Sequence, residues 1–295
     1  MKAAPFAYAR PAALSDAVAE LVDADGGGKV IAGGQSLVPV LAMRLARPTT
    51  LVDINAVTGL DALRTVGDRL EVGATVRQRR VEHAPESAQV PLLRLALPWV
   101  GHRELRSRGT VCGSLAHADP AAELPAVACC LDAELRLTGP EGERAVRARA
   151  FFAGAMTTAL RPEDVLSAVS FPVAGPREGF GFAEIARRHG DFALAGVAAH
   201  VRVDDAGGVS AATMTAFGVS DRPVTRDLTS LVRAAGGDQA ELAGALDDVV
   251  REVVDTDGDV HASNGYRRRL LRALAAREMA KAYRRAVRGT AEVES

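Results

Sequence analysis

Two glycine-rich segments set small residues beside a hydroxyl: Val30-Ile31-Ala32-Gly33-Gly34-Gln35-Ser36-Leu37 and Gly109-Thr110-Val111-Cys112-Gly113-Ser114-Leu115. Glycine lets the backbone approach a ligand closely, and successive N–H groups in such a turn make a concave anion site. Each segment is therefore suited to phosphate oxygens. Two such turns from one domain could cradle a pyrophosphate, which points to a bound dinucleotide. The second segment runs on into His117, Asp119-Pro120 and Glu123. Ser36 and Ser114 lack the Gly-x-Ser-x-Gly elbow of a hydrolase nucleophile, so phosphate hydrogen bonding is the preferred role for both.

The common nucleotide templates do not fit. A Walker loop needs Lys and then Ser or Thr after its last glycine, whereas Lys29 precedes the first segment. A dinucleotide fingerprint needs G-x-G-x-x-G between strand and helix, and Gly26, Gly28, Gly33 and Gly34 do not match it. Asp53 stands where a ribose-binding acid would fall, but without the fingerprint it reads as structural. His117 and Asp119 form an H-x-D pair with no further metal ligand at sensible spacing, so His117 is read as holding the turn. His102, Arg103, Arg106 and Arg108 precede the second segment. They are either a solvated face or compensation for pyrophosphate charge. No triad or acid–base dyad stands out.

The elements that must position these residues read as an α/β order. Ser15 is placed to cap a short helix, with Lys29-Val30-Ile31-Ala32 as a buried strand after it. Leu37 to Arg47 reads as a helix stopped by Pro48, and Leu51 to Ile54 as a second strand. Arg69 to Ala74 alternates as a half-buried strand, and Pro91 to Val100 is a helix candidate. Leu124 to Leu131 reads as a buried helix, Ala133 to Leu137 and Asp164 to Phe171 as strands. Pro172 to Gly179 reads as a linker. Beyond it, Ala193 to Val203 and Val209 to Val219 flank a hairpin turn. Asp238 to Val254 reads as one helix, and Ser263 or Asn264 as the cap of a final helix. That helix carries Arg267, Arg268, Arg269 and Arg272, read as a solvated face or a subunit contact.

Composition removes several classes. The 295 residues carry a net charge of −1 with 4% aromatics, so nothing suggests a nucleic-acid or membrane footprint. Cys112, Cys129 and Cys130 include no C-x-x-C, which leaves no ligand set for zinc or an iron–sulfur cluster and fits a reducing compartment. The N-terminal segment lacks a signal-peptide core. No run approaches the roughly 20 apolar residues of a membrane span. The expectation is a cytoplasmic protein.

With those residues in view, the chain resembles the medium, FAD-binding subunit of molybdenum hydroxylases, the family of the flavoprotein subunits of aerobic carbon monoxide, xanthine, nicotine and quinoline dehydrogenases. The family's A-G-G-x-S-L followed by Pro is seen as Ala32 to Leu37 and Pro39. Its Thr-x-Gly-Gly-Ser/Asn turn followed by Asp-Pro and an acid is seen as Thr110 to Ser114, Asp119-Pro120 and Glu123. Arg188 to Ala195 and His261 to Arg267 extend the likeness, which spans nearly the whole chain.

The resemblance implies an α+β fold. Two FAD-binding subdomains of the vanillyl-alcohol-oxidase (PCMH) type span 1–57 and 58–174, and a C-terminal domain of antiparallel sheet and helices spans 175–295. It implies that Ile31 to Leu37 wrap the FAD pyrophosphate. Thr110, Cys112, Gly113 and Ser114 would contact phosphate and ribitol, with His117 and Asp119 beside them. Glu123 would accept from sugar hydroxyls, Leu166 would line the adenine region, and Phe192 would lie near the isoalloxazine or else pack in the core. Cys112 stands where many members have glycine, so a positive φ there would be strained. The implied partners are a large molybdopterin subunit and a small subunit with two [2Fe-2S] clusters, assembled as a dimer of heterotrimers. This chain would then be an electron-transfer subunit, with no catalytic acid or base of its own. The rival reading is a stand-alone flavin oxidoreductase of the vanillyl-alcohol oxidase type, for which about 120 residues after the linker are few to build a substrate cap.

Overall fold

The structure is a computed structural model that describes residues 2–289. The expected C-terminal domain therefore has its last residues, 290–295, outside the described part. The chain is a mixture of helix and sheet. In the first stretch, β1 (Ala7–Ala9), α1 (Leu14–Asp23), β2 (Gly28–Ile31), α2 (Leu37–Ala42) and β3 (Thr50–Asp53) build a three-stranded parallel sheet in the order β1-β3-β2. The apolar stripe of α1 (Ala17, Val18, Leu21) buries against it. Ser15 is not the cap. Ala13 holds that position without a side-chain bond, and the Ser15 hydroxyl turns to Asp16. Likewise α2 stops at Ala42, not at Arg47. Met43 closes it and Arg44 sits at φ 58°, so the backbone has already left the helix before Pro48.

The second stretch is an antiparallel sheet wrapped by helices. It holds β4 (Leu63–Val66), β5 (Arg69–Gly73), α3 (Gln78–His83), α4 (Pro91–Ala96), α5 (Arg103–Arg108), α6 (Val111–His117), α7 (Glu123–Cys130), β6 (Glu134–Gly139), β7 (Gly142–Arg147), α8 (Ala148–Phe151), the short ribbon β8 (Phe152–Gly154) and β9 (Thr157–Thr158), and β10 (Val165–Pro172). The five-stranded order is β4-β5-β10-β6-β7. β5 is covered on both faces rather than half-buried, because Glu71 on its polar side is closed over by Arg64 and Arg136. The helix expected through Val100 changes to a 3-10 turn at Leu97–Trp99, since Pro98 has no amide to continue the ladder.

The third stretch is β11 (Glu178–Ala186), β12 (Ala193–Val203), β13 (Val209–Phe217) and β14 (Val224–Asp227), an antiparallel meander, followed by α9 (Thr229–Ala235), α10 (Gln239–Ala245), α11 (Asp247–Val253) and α12 (Asn264–Arg288). The single helix expected over 238–254 is two, broken at Leu246, with Asp238 capping the first through the amides of Ala240 and Glu241. Ser263 caps α12.

The third sheet is covered on both faces. α12 packs on one, where Ala195, Val197, Ala199 and Val201 of β12 meet Leu274, Ala275 and Met279. Phe180, Phe182 and Phe217 face the other way and join the core of the first two sheets, against α4 and α7. Gly179 and Gly181 let α12 lie directly on β11: a Cβ on the first would overlap the backbone of Ala282 and Ala286, and on the second the carbonyl of Glu278. Arg267 is not on a solvated face. It is 6% exposed, donates to the carbonyls of Leu194 (2.6 Å) and Gly218 (2.5 Å), and pairs with Asp259 (2.7 Å). It thereby pins the start of α12 to the sheet. Arg272 does lie outside, paired to Asp247 at 2.9 Å.

Gly179→Val should push α12 off β11. The expected loss is about 1–3 kcal/mol of unfolding free energy in urea titration, or more. An unchanged midpoint would contradict the close approach.

Candidate functional site

The first glycine segment leaves β2 and bends sharply. Gly34 sits at φ 72°, where a side chain would be strained, and a Cβ there would be 3.1 Å from a Val38 methyl. The carbonyl of Gly33 accepts from Gln35 Nε2 (3.2 Å), and that of Gly34 from the amide of Val38 (2.9 Å). Among the described residues, the amides of Gly34, Gln35, Ser36 and Leu37 find no acceptor in the protein, and the Ser36 hydroxyl makes no capping bond. A run of unsatisfied backbone donors ahead of a helix is suited to an anion. Ile31 and Ala32 end the strand behind it.

The second segment, read as a glycine turn, is instead the first turn of α6. Thr110 takes the cap position in extended conformation, and its Oγ1 accepts from the Gly113 amide at 3.0 Å. The threonine hydroxyl keeps its own proton to donate. Gly113 and Ser114 lie on the outer side of this turn. Cys112 is helical, so its backbone is unstrained, and its thiol points inward with Sγ 3.6 Å from the Val72 carbonyl. Burial pushes that thiol up to about 12, which keeps it protonated. α6 ends at Ala118 in the left-handed region (φ 53°). His117, in the last turn, is half-buried. Burial holds its imidazole below the usual range; Asp119 opposes this and Lys29 adds to it. Asp119 Oδ1 accepts from the Ala121 amide (2.8 Å) and so starts the approach to α7.

The two segments meet. A Cβ on Gly33 would overlap the Arg108 carbonyl oxygen and come within 2.8 Å of Gly109 Cα. The segment before α3 zips along the second loop: the Gln78 amide donates to the Gly109 carbonyl (2.9 Å), Gln78 Nε2 to that of Thr110 (3.3 Å), and Arg77 bridges to Thr110. Arg106 is not available to a ligand. Its guanidinium forks onto Glu82 at 2.9 and 3.1 Å and caps the carbonyls of Val100 and Gly101. His102 packs against Gly190, where a Cβ would be 2.8 Å from its ring.

The remaining candidates divide. Glu123 opens α7 and is 8% exposed. Leu166 lies buried in β10, the strand on which α6 packs. Phe192 is 70% exposed, which overturns the core-packing alternative. Asp53 is the structural residue expected: it takes the Tyr8 hydroxyl at 2.5 Å and caps the turn at Asn55. Sequence reasoning missed Glu184 in β11. It is 3% exposed, its Oε2 has no hydrogen-bond partner, and it faces Glu123 closely enough for the two charges to interact. Burial raises Glu184 to about 9, with Glu123 adding to it; burial raises Glu123 to about 7. A glutamate inside a strand pattern gives no sign that distant parts of the chain will bury it.

A family model described as "FAD binding domain in molybdopterin dehydrogenase" matches residues 4–174. The chain belongs to this family. A second, the CO dehydrogenase flavoprotein C-terminal domain, matches 180–282. The 6-hydroxypseudooxynicotine dehydrogenase complex subunit alpha of Paenarthrobacter nicotinovorans is 34% identical over 288 residues, 97% of each chain. Among solved structures, quinoline 2-oxidoreductase from Pseudomonas putida 86 superposes with a TM-score of 0.88 at 34% identity, covering 97% of this chain and 100% of that one. CO dehydrogenase from Oligotropha carboxidovorans superposes at 0.90 with 29% identity, covering 97% and 100%. The chain is thus an FAD-binding medium subunit of the molybdenum hydroxylase type. Its unsatisfied amides and its glycine cradle fit the diphosphate of that cofactor.

The two buried carboxyls set a pH dependence. Unfolded, both titrate near their ordinary 4.5; folded, they hold their protons to about 7 and about 9. The native chain binds more protons through that window, so the stability this pair contributes is full below about pH 4.5 and is lost as pH rises towards 9. Glu184→Gln in FAD-free protein should flatten the fall and raise Tm at pH 8.5. Equal slopes for the two proteins across pH 5–9 would contradict a buried pair.

Proposed function

We propose that the chain carries electrons within a molybdenum hydroxylase, with FAD held between the first two sheets in the vanillyl-alcohol-oxidase manner. The dinucleotide-binding unit then comprises 1–57 and 58–174, and 175–295 closes it from the flavin side. The observation that carries this reading is the contact of Gly33 with Arg108–Gly109, which brings unsatisfied amides and the Thr110 hydroxyl to one place.

In this reading the amides of Gly34 to Leu37 and the Ser36 hydroxyl bind one side of the pyrophosphate. Thr110, the Cys112 and Gly113 backbone and Ser114 hold the other side and the ribityl chain. His117 and Asp119 fix the end of α6 and the turn after it. Glu123 accepts from sugar hydroxyls, Leu166 packs beside the adenine, and exposed Phe192 offers a ring to the isoalloxazine. When bound, FAD would supply one- and two-electron chemistry between iron–sulfur clusters and an external acceptor. The chain itself binds, orients and shields; no residue need move a proton in the substrate reaction. Relatives named as subunits of dehydrogenase complexes support two partners, a large molybdopterin subunit and a small subunit with two [2Fe-2S] clusters, in a cytoplasmic dimer of heterotrimers. End-to-end likeness to such subunits favours this over a stand-alone oxidase.

Purified protein should be yellow and release FAD on denaturation. Gly33→Val should abolish FAD retention, because the side chain has no space beside Arg108. Full flavin content in that variant, measured by absorbance after denaturation, would refute the clamp.

A further inference from the structure

A continuous chain of polar contacts ties the two glycine segments together from behind. It begins at β1, where the Tyr8 hydroxyl donates to Asp53 Oδ2 at 2.5 Å. Asp53 Oδ1 accepts from both the amide (2.9 Å) and the side-chain nitrogen (2.5 Å) of Asn55. Asn55 Nδ2 also donates to the carbonyl of Ala32, in the first segment, at 2.8 Å. Asn55 Oδ1 accepts from Arg77 NH2 at 2.6 Å. Arg77 NH1 then donates to the carbonyl of Arg108, at the mouth of the second segment, at 2.6 Å. That carbonyl is the one against which Gly33 packs.

Arg77 is half-buried, and burial lowers its affinity for a proton, with Arg108 adding to the effect. Its guanidinium stays charged regardless, since its ordinary value lies so far above neutrality. Even half-buried, a cation is costly unless its donors are used, and here two of them span acceptors belonging to different parts of the fold.

We propose that Arg77, oriented by Asn55, is a positioning residue: its planar fork sets the distance between the two phosphate-binding segments. The inference rests on the functional reading above. Either segment alone offers a few amides. Binding of a diphosphate by both at once requires their spacing to be fixed before the ligand arrives, because ordering them afterwards would cost affinity. Only a rigid, two-pronged donor can do this. An ammonium at the same place keeps the charge but cannot reach the Asn55 and Arg108 oxygens together in the same geometry. The network therefore predicts that charge without the fork is insufficient.

The test uses the purified full-length chain stripped of flavin, with FAD binding read from quenching of flavin fluorescence and Tm read separately without FAD. Arg77→Ala should weaken FAD binding by about 10- to 100-fold, the range for losing charged hydrogen bonds. Arg77→Lys should still lose at least about 10-fold. Asn55→Ala should weaken binding too, and the double variant Asn55→Ala/Arg77→Ala should be no weaker than the worse single one, because the two residues act as one strut. Wild-type affinity in Arg77→Lys would overturn the strut and leave only charge. Additive losses in the double variant would overturn the coupling. A wild-type chain that takes up no FAD would instead remove the functional reading beneath it.

Discussion

The backbone of Gly33 lies against the backbone of Arg108 and Gly109, with no room for a side chain between them. The contact joins a parallel three-stranded unit to an antiparallel five-stranded one at the point where each presents its small residues. The rest of the fold serves that junction. β2 and β3 aim the first segment at it, and the Val76–Gln78 stretch holds the second by strand-like pairing to Gly109–Val111. Two glycine loops on separate sheets would be two weak anion sites. Held in contact, they bring their small residues side by side, which is what the proposed diphosphate site requires.

The third sheet closes the assembly from the other side. β11 turns Phe180, Phe182 and Glu184 towards the helices of the second stretch, while Gly179 and Gly181 seat α12 on its back. The burial of Glu184 opposite Glu123 follows from this. Two carboxyls taken out of water near each other favour the protonated form. Such an arrangement costs stability at neutral pH, and it sits where the two matched family regions meet, at 4–174 and 180–282. Arg106 and Arg267 do the opposite work. Each is a buried guanidinium with its terminal nitrogens on backbone carbonyls and one carboxylate: Arg106 ties α5 to the Val100–Gly101 turn, and Arg267 ties the start of α12 to the third sheet.

Much of the candidate site was legible because the chemistry proposed for it depends on backbone. Glycines, a hydroxyl and an Asp-Pro step leave a local mark, so Ala32 to Leu37 and Thr110 to Ser114 could be picked out without knowing the fold. The hairpin at Ala193–Val203 and Val209–Phe217 and the Ser263 cap were equally local. What the sequence hid was long-range. Arg106 and Arg267 looked like surface charges because nothing nearby in sequence names their acceptors. Asn55 and Arg77 are ordinary polar residues until the first and second sheets meet. The second segment was read as a turn because glycine suggests one, whereas Thr110 supplies a cap strong enough to begin a helix through Cys112 and Gly113. The helix end at Ala42 also escaped, since left-handed Arg44 has no proline or glycine beside it to announce it, and the break at Leu246 escaped although Gly244 stands in the last turn of α10.

Hydrogen exchange of the backbone amides, with and without FAD, tests the joined clamp most directly. If the two segments act as one site, FAD should protect Gly34 to Leu37 and Cys112 to Ser114 together and over the same range of concentration. Protection of one segment while the other exchanges as in the free protein would contradict the account.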